Sequence, residues 1–168
     1  MANDSRLAKM GAALQRLPRP LRERATSLLV GQIVPYVGTS GARIEELGEG
    51  RVVVAIPNRR KVRNHIGTIH AAAVTLAAET ASGFVVGISL PARSLPLIRT
   101  MKIDFEKRTA PGTLRAIATL TAEQRRELEE KERGSFAVEV RIDDGSGGEP
   151  VVVEMVWAWV PNRAKAKS

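Results

Sequence analysis

The chain opens with two segments in which apolar residues recur at the spacing of an amphipathic helix. The first covers residues 5–15, and the second runs from residue 21 to about residue 34. Pro18 and Pro20 separate them, because proline ends or interrupts a helix. We therefore predict a helical extension over residues 1–34.

Two extended segments follow, over residues 42–47 and 51–57. Between them lie Gly48, Glu49 and Gly50, and a glycine-containing turn between extended segments is typical of a β-hairpin. This hairpin supplies the first two predicted strands.

An alanine-rich segment then runs from Thr68 to about Ser82, bounded by Gly67 and Gly83. It is too long and too rich in alanine for a strand, so we predict a helix. Its apolar residues occupy nearly every side, a pattern that indicates a helix enclosed by other structure.

The second half of the chain alternates between apolar and polar residues in four segments. An irregular stretch containing Pro91 and Pro96 precedes them. Alternation at a period of two predicts strands with one buried face. The apolar positions are Met101, Ile103 and Phe105; Leu114, Ala116, Ala118 and Leu120; Phe136, Val138, Val140 and Ile142; Val151, Val153, Met155, Trp157 and Trp159.

Charged residues dominate the stretch 122–133, apart from Leu128, and predict an exposed helix that contacts little. A glycine-rich loop covers residues 143–150, and residues 163–168 are expected to form a flexible basic tail. Neither a repeat nor a linker divides the chain, so we expect a single domain over residues 1–168.

The predicted elements come in the order of helices, a hairpin, one enclosed helix and four strands. This order favours an α+β fold. We expect an antiparallel sheet of about six strands wrapped around the central helix. Since that helix has apolar residues for the sheet and for a further surface, the second surface could belong to another subunit.

The composition narrows the classes of function. The 168 residues include no cysteine, which excludes disulfides and cysteine-based metal sites or nucleophiles. No uninterrupted apolar run approaches the roughly 18 residues of a membrane span, and the N-terminus lacks the apolar core of a secretory signal, so a cytoplasmic location is expected. The net charge of +8 favours anionic partners, but with 4% aromatic residues we do not expect a nucleic-acid partner.

The strongest local pattern is Asn64-His65-Ile66-Gly67-Thr68-Ile69-His70-Ala71-Ala72, followed by Glu79. It resembles the signature of hotdog-fold acyl-CoA thioesterases, especially the phenylacetate-degradation type and related families of unknown function. Those proteins carry Asn before Gly-Thr-x-His-Gly-Gly, and an acidic residue eight positions beyond the first glycine of the pair. Here Ala71 and Ala72 replace the two glycines. The resemblance implies a hotdog fold, thioester hydrolysis, a homodimer or homotetramer, and no cofactor apart from the coenzyme A of the substrate.

The beginning of the central helix suits acyl transfer on physical grounds. Its first N–H groups have no partner within the helix and carry a partial positive charge, so they can bind a carbonyl oxygen that becomes negative. We expect the N–H of Ala71 to be this donor. Alanine donates the same N–H as glycine but narrows the space beside it.

Glu79 lies eight residues beyond Ala71, roughly 12 Å along the helix, too far to serve its own helix start. Pairing of two chains could bring Glu79 of one to Asn64 and Ala71 of the other. In this hypothesis Glu79 activates water or attacks the carbonyl, and Asn64 holds water or substrate. We expect substrate contacts along a polar stripe and at the helix start, from Gly67, Thr68, His70, Thr75 and Ser82.

A basic run directly precedes this motif and could bind the phosphates of coenzyme A. It comprises Arg59, Arg60, Lys61 and Arg63, and Lys107 and Arg108 are weaker candidates for the same contact. The two histidines, with no nearby pair of acids, do not form a recognised ligand set, so no metal is expected.

The same residues could instead have structural roles, without a part in catalysis or in substrate binding. Glu79 could pair with an arginine, His70 could shape the helix start rather than take part in chemistry, and the basic run could be a solvated loop. At the level of function, the alternatives are a non-catalytic acyl-CoA or acyl-chain binding protein, a nucleic-acid or acidic-surface binder, and a dehydratase of the same fold.

Overall fold

The protein was analysed as a computed structural model that describes residues 17–162. Its helices are α1 (Arg19–Ile33), α2 (Pro35–Ser40), α3 (Ala71–Ser89) and α4 (Ala122–Glu130), with a 3-10 turn at Arg60–Val62. Its strands are β1 (Arg43–Gly48), β2 (Arg51–Pro57), β3 (Ser94–Phe105), β4 (Thr113–Thr119), β5 (Gly134–Asp143) and β6 (Val151–Pro161).

The six strands form one antiparallel sheet in the order β1-β2-β4-β5-β6-β3. Helix α3 lies against the inner face, where alternate strand residues such as Val54, Ala116, Val140 and Met155 join its apolar side chains in the core. The predicted α+β fold, a six-stranded antiparallel sheet around a central helix, is confirmed.

Helix α3 differs from its predicted bounds at both ends. It begins at Ala71, three residues later than Thr68, and continues past Gly83 to Ser89. Gly83 does not end the helix because the ring of Trp157 packs directly on it: a Cβ there would lie 2.8 Å from Cη2. By length and composition α3 could cross a bilayer, but most of it is buried inside the fold, where an apolar helix is expected.

Strand β3 begins at Ser94, so the stretch predicted to be irregular belongs partly to the sheet. Pro96 pairs with Trp159 inside the strand. Proline is tolerated because β3 is an edge of the described sheet and needs no hydrogen-bond donor on its free side.

The second predicted N-terminal helix is confirmed as α1, with Pro20 in its first turn. The short helix α2 was not predicted. It approaches α1 closely, since a Cβ on Gly31 would lie 3.0 Å from the Cα of Gly38. The predicted helix at 5–15 and the predicted tail at 163–168 lie outside the described residues.

Helix α4 is charged and largely exposed, as predicted, and it touches the rest of the fold at few points. Leu128 is fully buried in the core. The Nε1–H of Trp159 donates to the carbonyl oxygen of Lys131 at 2.8 Å, and the Gln124 side chain donates to the carbonyl oxygen of Ala137. One apolar residue therefore packs the helix into the core, and two hydrogen bonds tie the helix and the residue after it to β5 and β6.

Candidate active site

A tight loop precedes helix α3, and Asn64 holds it together. Its Oδ1 accepts hydrogen bonds from the N–H groups of Ile66 and Thr68, both at 3.1 Å, and its Nδ2 donates to Thr68 Oγ1 at 2.8 Å. Gly67 has a φ of +81°, a conformation that favours glycine. The structure thus brings together Asn64, Gly67 and Thr68, all three predicted as site residues. Within the described residues, one Nδ2 hydrogen of Asn64 has no acceptor.

The first turn of α3 has one N–H without a partner. The N–H of Ala72 donates to Nδ1 of His70 at 3.0 Å, and that of Ala73 donates to the His70 carbonyl oxygen at 2.8 Å. Within the part of the chain that the structure describes, the N–H of Ala71 donates to nothing. His70 is the N-cap of the helix, so its side chain shapes the helix start, and Ala71 offers a free donor at the positive end of α3.

A groove with a volume of about 330 Å³ opens in front of this helix start. Asn64, Thr68 and Ala71 lie on one side. The end of β3 and the segment that follows it lie on the other, with Phe105, Lys107 and Arg108. The second side was largely missed from the sequence. The only signal was the basic pair after a predicted strand.

The predicted basic residues fall into three pairs: one ties loops together, one is exposed, and one lines the groove. Lys61 donates to the carbonyl oxygen of Thr39 at 2.8 Å, and Arg63 donates to the side-chain and backbone oxygens of Asn58, so these two side chains tie loops together. Arg59 and Arg60 are exposed. Arg108 and Lys107 line the groove itself, and Arg108 Nη2 donates to the Ile66 carbonyl oxygen at 2.8 Å.

The predicted polar stripe on α3 is only partly open. Thr75 and Glu79 are half-buried, and Thr75 Oγ1 donates to the Ala71 carbonyl oxygen. Ser82 is fully buried; its hydroxyl donates to the Ala78 carbonyl oxygen and accepts from Trp157 Nε1 at 2.9 Å. Ser82 thus serves the core and is not brought together with the other predicted substrate contacts.

Glu79 sits among apolar residues with little to balance its charge. Burial raises the pKa of its carboxyl above 4.5, and the Thr80 hydroxyl, 3.5 Å from Oε2, lowers it to a smaller extent. Among residues 17–162 no lysine or arginine forms a salt bridge with it. The ion-pair alternative is therefore not met among the described residues, and a carboxyl with a raised pKa is better suited to accept a proton near neutral pH.

Comparisons with known proteins agree with this geometry. Residues 22–160 match a family described as Domain of unknown function (DUF4442). No curated protein matches the chain. A protein of unknown function from Pseudomonas aeruginosa, described as a probable thioesterase, is 27% identical with a TM-score of 0.73, over 87% of this chain and 97% of that one.

Two more distant structures share the fold. A thioesterase family protein from Silicibacter pomeroyi is 17% identical with a TM-score of 0.61, over 79% of this chain and 94% of that one. A thioesterase from Haemophilus influenzae is 14% identical with a TM-score of 0.61, over 79% and 88%. With the family match and the architecture above, the chain belongs to the DUF4442 family and to the hotdog-fold thioesterase superfamily.

Proposed function

We propose that this protein hydrolyses an acyl thioester of coenzyme A at the start of helix α3. The observation that carries the proposal is the unpartnered N–H of Ala71, which borders the groove at the positive end of the helix. A thioester carbonyl bound there would have its developing negative charge stabilised during attack.

The proton acceptor in this proposal is Glu79 of a second chain. Within one chain Glu79 lies eight residues beyond Ala71, about 12 Å along the helix. Its raised pKa and its lack of a salt bridge in the described chain support a role as a base. Each site would then combine Asn64 and Ala71 of one chain with Glu79 of the other.

The exposed edge of the sheet supports such a homodimer. Strand β3 is twelve residues long and pairs only with β6 in the described sheet. On the face that it shares with α3, Ile98 is 36% exposed, Met101 50% and Phe105 49%. An open edge strand with uncovered apolar side chains is a typical place for another chain to pair. A tetramer stays a further possibility of the same proposal.

Hydrolysis would proceed through a tetrahedral intermediate. Glu79 takes a proton from water, the water oxygen bonds to the carbonyl carbon, and the carbonyl oxygen, now negative, accepts the Ala71 N–H. Collapse breaks the carbon–sulfur bond, and the leaving thiolate of coenzyme A takes the proton from Glu79, which returns to its carboxylate form. In the alternative, the Glu79 carboxylate attacks the carbonyl itself and water then cleaves the resulting anhydride.

The two routes differ in where the water oxygen goes. In a single turnover in ¹⁸O-labelled water, direct hydrolysis places the label in the released acid. In the anhydride route, water that attacks the Glu79 carbonyl carbon places the label in Glu79 and releases an unlabelled acid, so label recovered in Glu79 identifies that route.

For the phosphates of coenzyme A, the groove favours Lys107 and Arg108 as the nearest cations, because both line it. Arg59 and Arg60 are exposed and remain proposed outer contacts. Lys61 and Arg63 do not line the groove and donate to protein oxygens elsewhere, which makes them weaker candidates.

The decisive assay is turnover of a panel of acyl-CoA substrates by the wild-type protein and by Glu79→Gln. We expect turnover by the wild type and a loss of at least about a hundredfold in the variant. Equal turnover by both proteins would refute the role of Glu79. Tight binding of acyl-CoA without turnover by either protein would favour the non-catalytic alternative. The methyl groups of Ala71 and Ala72, at positions where the thioesterases that the motif resembles carry glycines, would be in line with that outcome.

A further inference from the structure

The side of the groove that faces Ala71 is formed by the last residue of β3 and the irregular segment after it, which is held at separate points. We call residues 105–110 the groove wall. The carbonyl oxygen of Pro150 accepts from the N–H groups of Glu106 and Lys107, at 3.1 and 3.0 Å. These two bonds continue the pairing of β3 with β6 and fix the beginning of the wall.

The far end of the groove wall is held by a buried carboxylate. Asp144 is 6% exposed, and its Oδ2 accepts from the N–H of Ala110 at 2.7 Å. Its Oδ1 accepts from the N–H of Ser146 at 3.0 Å. Burial alone would raise the pKa of this carboxyl, but the bonds from Ser146 and Ala110 outweigh it and lower the pKa, so the charged form is the one the fold stabilises.

The middle of the groove wall is joined to the opposite side of the groove. Arg108 Nη2 donates to the carbonyl oxygen of Ile66 at 2.8 Å. Ile66 lies in the loop that Asn64 organises, since Asn64 Oδ1 accepts the N–H of Ile66. The Arg108 hydrogen bond is therefore the contact through which a displacement of the wall would reach the loop that leads into Ala71.

We propose that Asp144 and Arg108 are positioning residues that set the width of the groove in front of the Ala71 N–H. Asp144 anchors the groove wall from outside the groove, and Arg108 bridges the wall to the Asn64 loop. For substrate positioning the inference rests on the proposed thioesterase function. The mechanical coupling of the two sides of the groove is independent of it.

The first test compares two adjacent carboxylates in one loop. Asp144→Asn replaces one carboxylate oxygen with an NH₂ group, which cannot accept an N–H. Only one of the two backbone N–H groups, of Ala110 and of Ser146, then keeps its acceptor. Asp143→Asn changes the charge equally, but Asp143 accepts its backbone hydrogen bond from the N–H of Gly145 and forms its ion pair with Arg141, so neither contact reaches the groove wall. Hydrogen–deuterium exchange is measured on peptides that cover the groove wall and residues 64–71.

In Asp144→Asn we expect about tenfold faster exchange in the groove wall and a smaller increase in residues 64–71, whereas Asp143→Asn leaves both unchanged. Faster exchange confined to residues 143–150 would overturn the proposal, and so would equal behaviour of the two variants. Since this measurement needs no substrate, an inactive wild-type protein would refute the proposed function without touching this result.

A second pair keeps the proposal testable if Asp144→Asn fails to fold. Arg108→Gln and Lys107→Gln each remove one positive charge from the exposed side of the wall, but only Arg108 donates to Ile66. Faster exchange over residues 64–71 is expected in Arg108→Gln alone. The same increase in Lys107→Gln would show that charge, not the bridge, is responsible, and no increase in Arg108→Gln would overturn the coupling.

Kinetics supply the readout of position. With the acyl-CoA that the wild type turns over fastest, Asp144→Asn should raise KM about tenfold while kcat changes less than about twofold, because the wall binds substrate and does not touch the reacting bond. Unchanged KM, or an equal fall in kcat, contradicts the assignment.

Discussion

Replacing Ala71 with proline removes the proposed oxyanion donor and little else. Ala71 is the first residue of α3, the position at which proline is most readily accommodated in a helix. Proline also requires an extended residue before it, and His70 already has φ −64° and ψ 141°. No hydrogen bond of the described chain is lost, because the N–H of Ala71 has no partner there.

The expected effects on activity and on stability therefore diverge. Loss of one oxyanion donor lowers kcat by about 10² to 10³, or about 3 to 4 kcal/mol of transition-state stabilisation. Stability should be unchanged or raised by up to about 1 kcal/mol, since proline restricts the unfolded chain at a position whose native φ it fits. Ala71→Gly, which keeps the N–H, is the matched control and should retain activity.

The assay is steady-state hydrolysis of acyl-CoA beside thermal unfolding of the same preparations. Activity of Ala71→Pro within about threefold of the wild type, in a protein with an unchanged Tm, would refute the assignment of this N–H. Equal loss of activity in Ala71→Gly would show that the methyl group, rather than the donor, matters.

Further predictions concern Glu79 and the glycines of α3. Because burial raises the pKa of Glu79, kcat/KM should rise with pH with a midpoint above 4.5; a midpoint below 4.5 contradicts Glu79 as the base. A carboxyl with a raised folded-state pKa destabilises the fold as pH rises through that pKa, so Glu79→Gln should gain stability relative to wild type at pH 8 but not at pH 4, measured by urea unfolding. Gly83→Ala should cost about 1 to 2 kcal/mol, since its Cβ would lie 2.8 Å from the Trp157 ring, whereas Gly87→Ala, which meets only Pro96 at 3.8 Å, should gain about 0.5 to 1 kcal/mol. Two changes of the same sign would contradict the packing described for Trp157.

The parts of the fold predicted from the sequence are those encoded by local periodicity. Alternation along each strand and the alanine-rich segment predict six strands and an enclosed helix, because burial of one face imposes a fixed period on the residues that form it. The errors lie where distant residues decide. Gly83 suggested a helix end, but Trp157 packs on it. Pro96 suggested a break, but β3 is an edge strand.

The candidate site divides in the same way. The residues from Asn64 to Ala71 could be found because the loop and the helix start are contiguous, and their hydrogen bonds connect near neighbours. The groove wall could not be found from the sequence, because it is the pairing of β3 with β6 and the hydrogen bond to Asp144 that place it opposite the helix start. Proximity in sequence is a weaker guide: Lys61 and Arg63 precede the motif, and in the structure their side chains donate to protein oxygens outside the groove.

The central claim is that each site takes Ala71 from one chain and Glu79 from another, and complementation tests it most directly. Glu79→Gln and Ala71→Pro are each expected to be inactive as homodimers. When the two variants are co-expressed in equal amounts, half of the dimers contain one chain of each. Each mixed dimer has one intact site of two. The account predicts recovery of about a quarter of wild-type activity; mixed dimers that form but remain as inactive as either parent would contradict it.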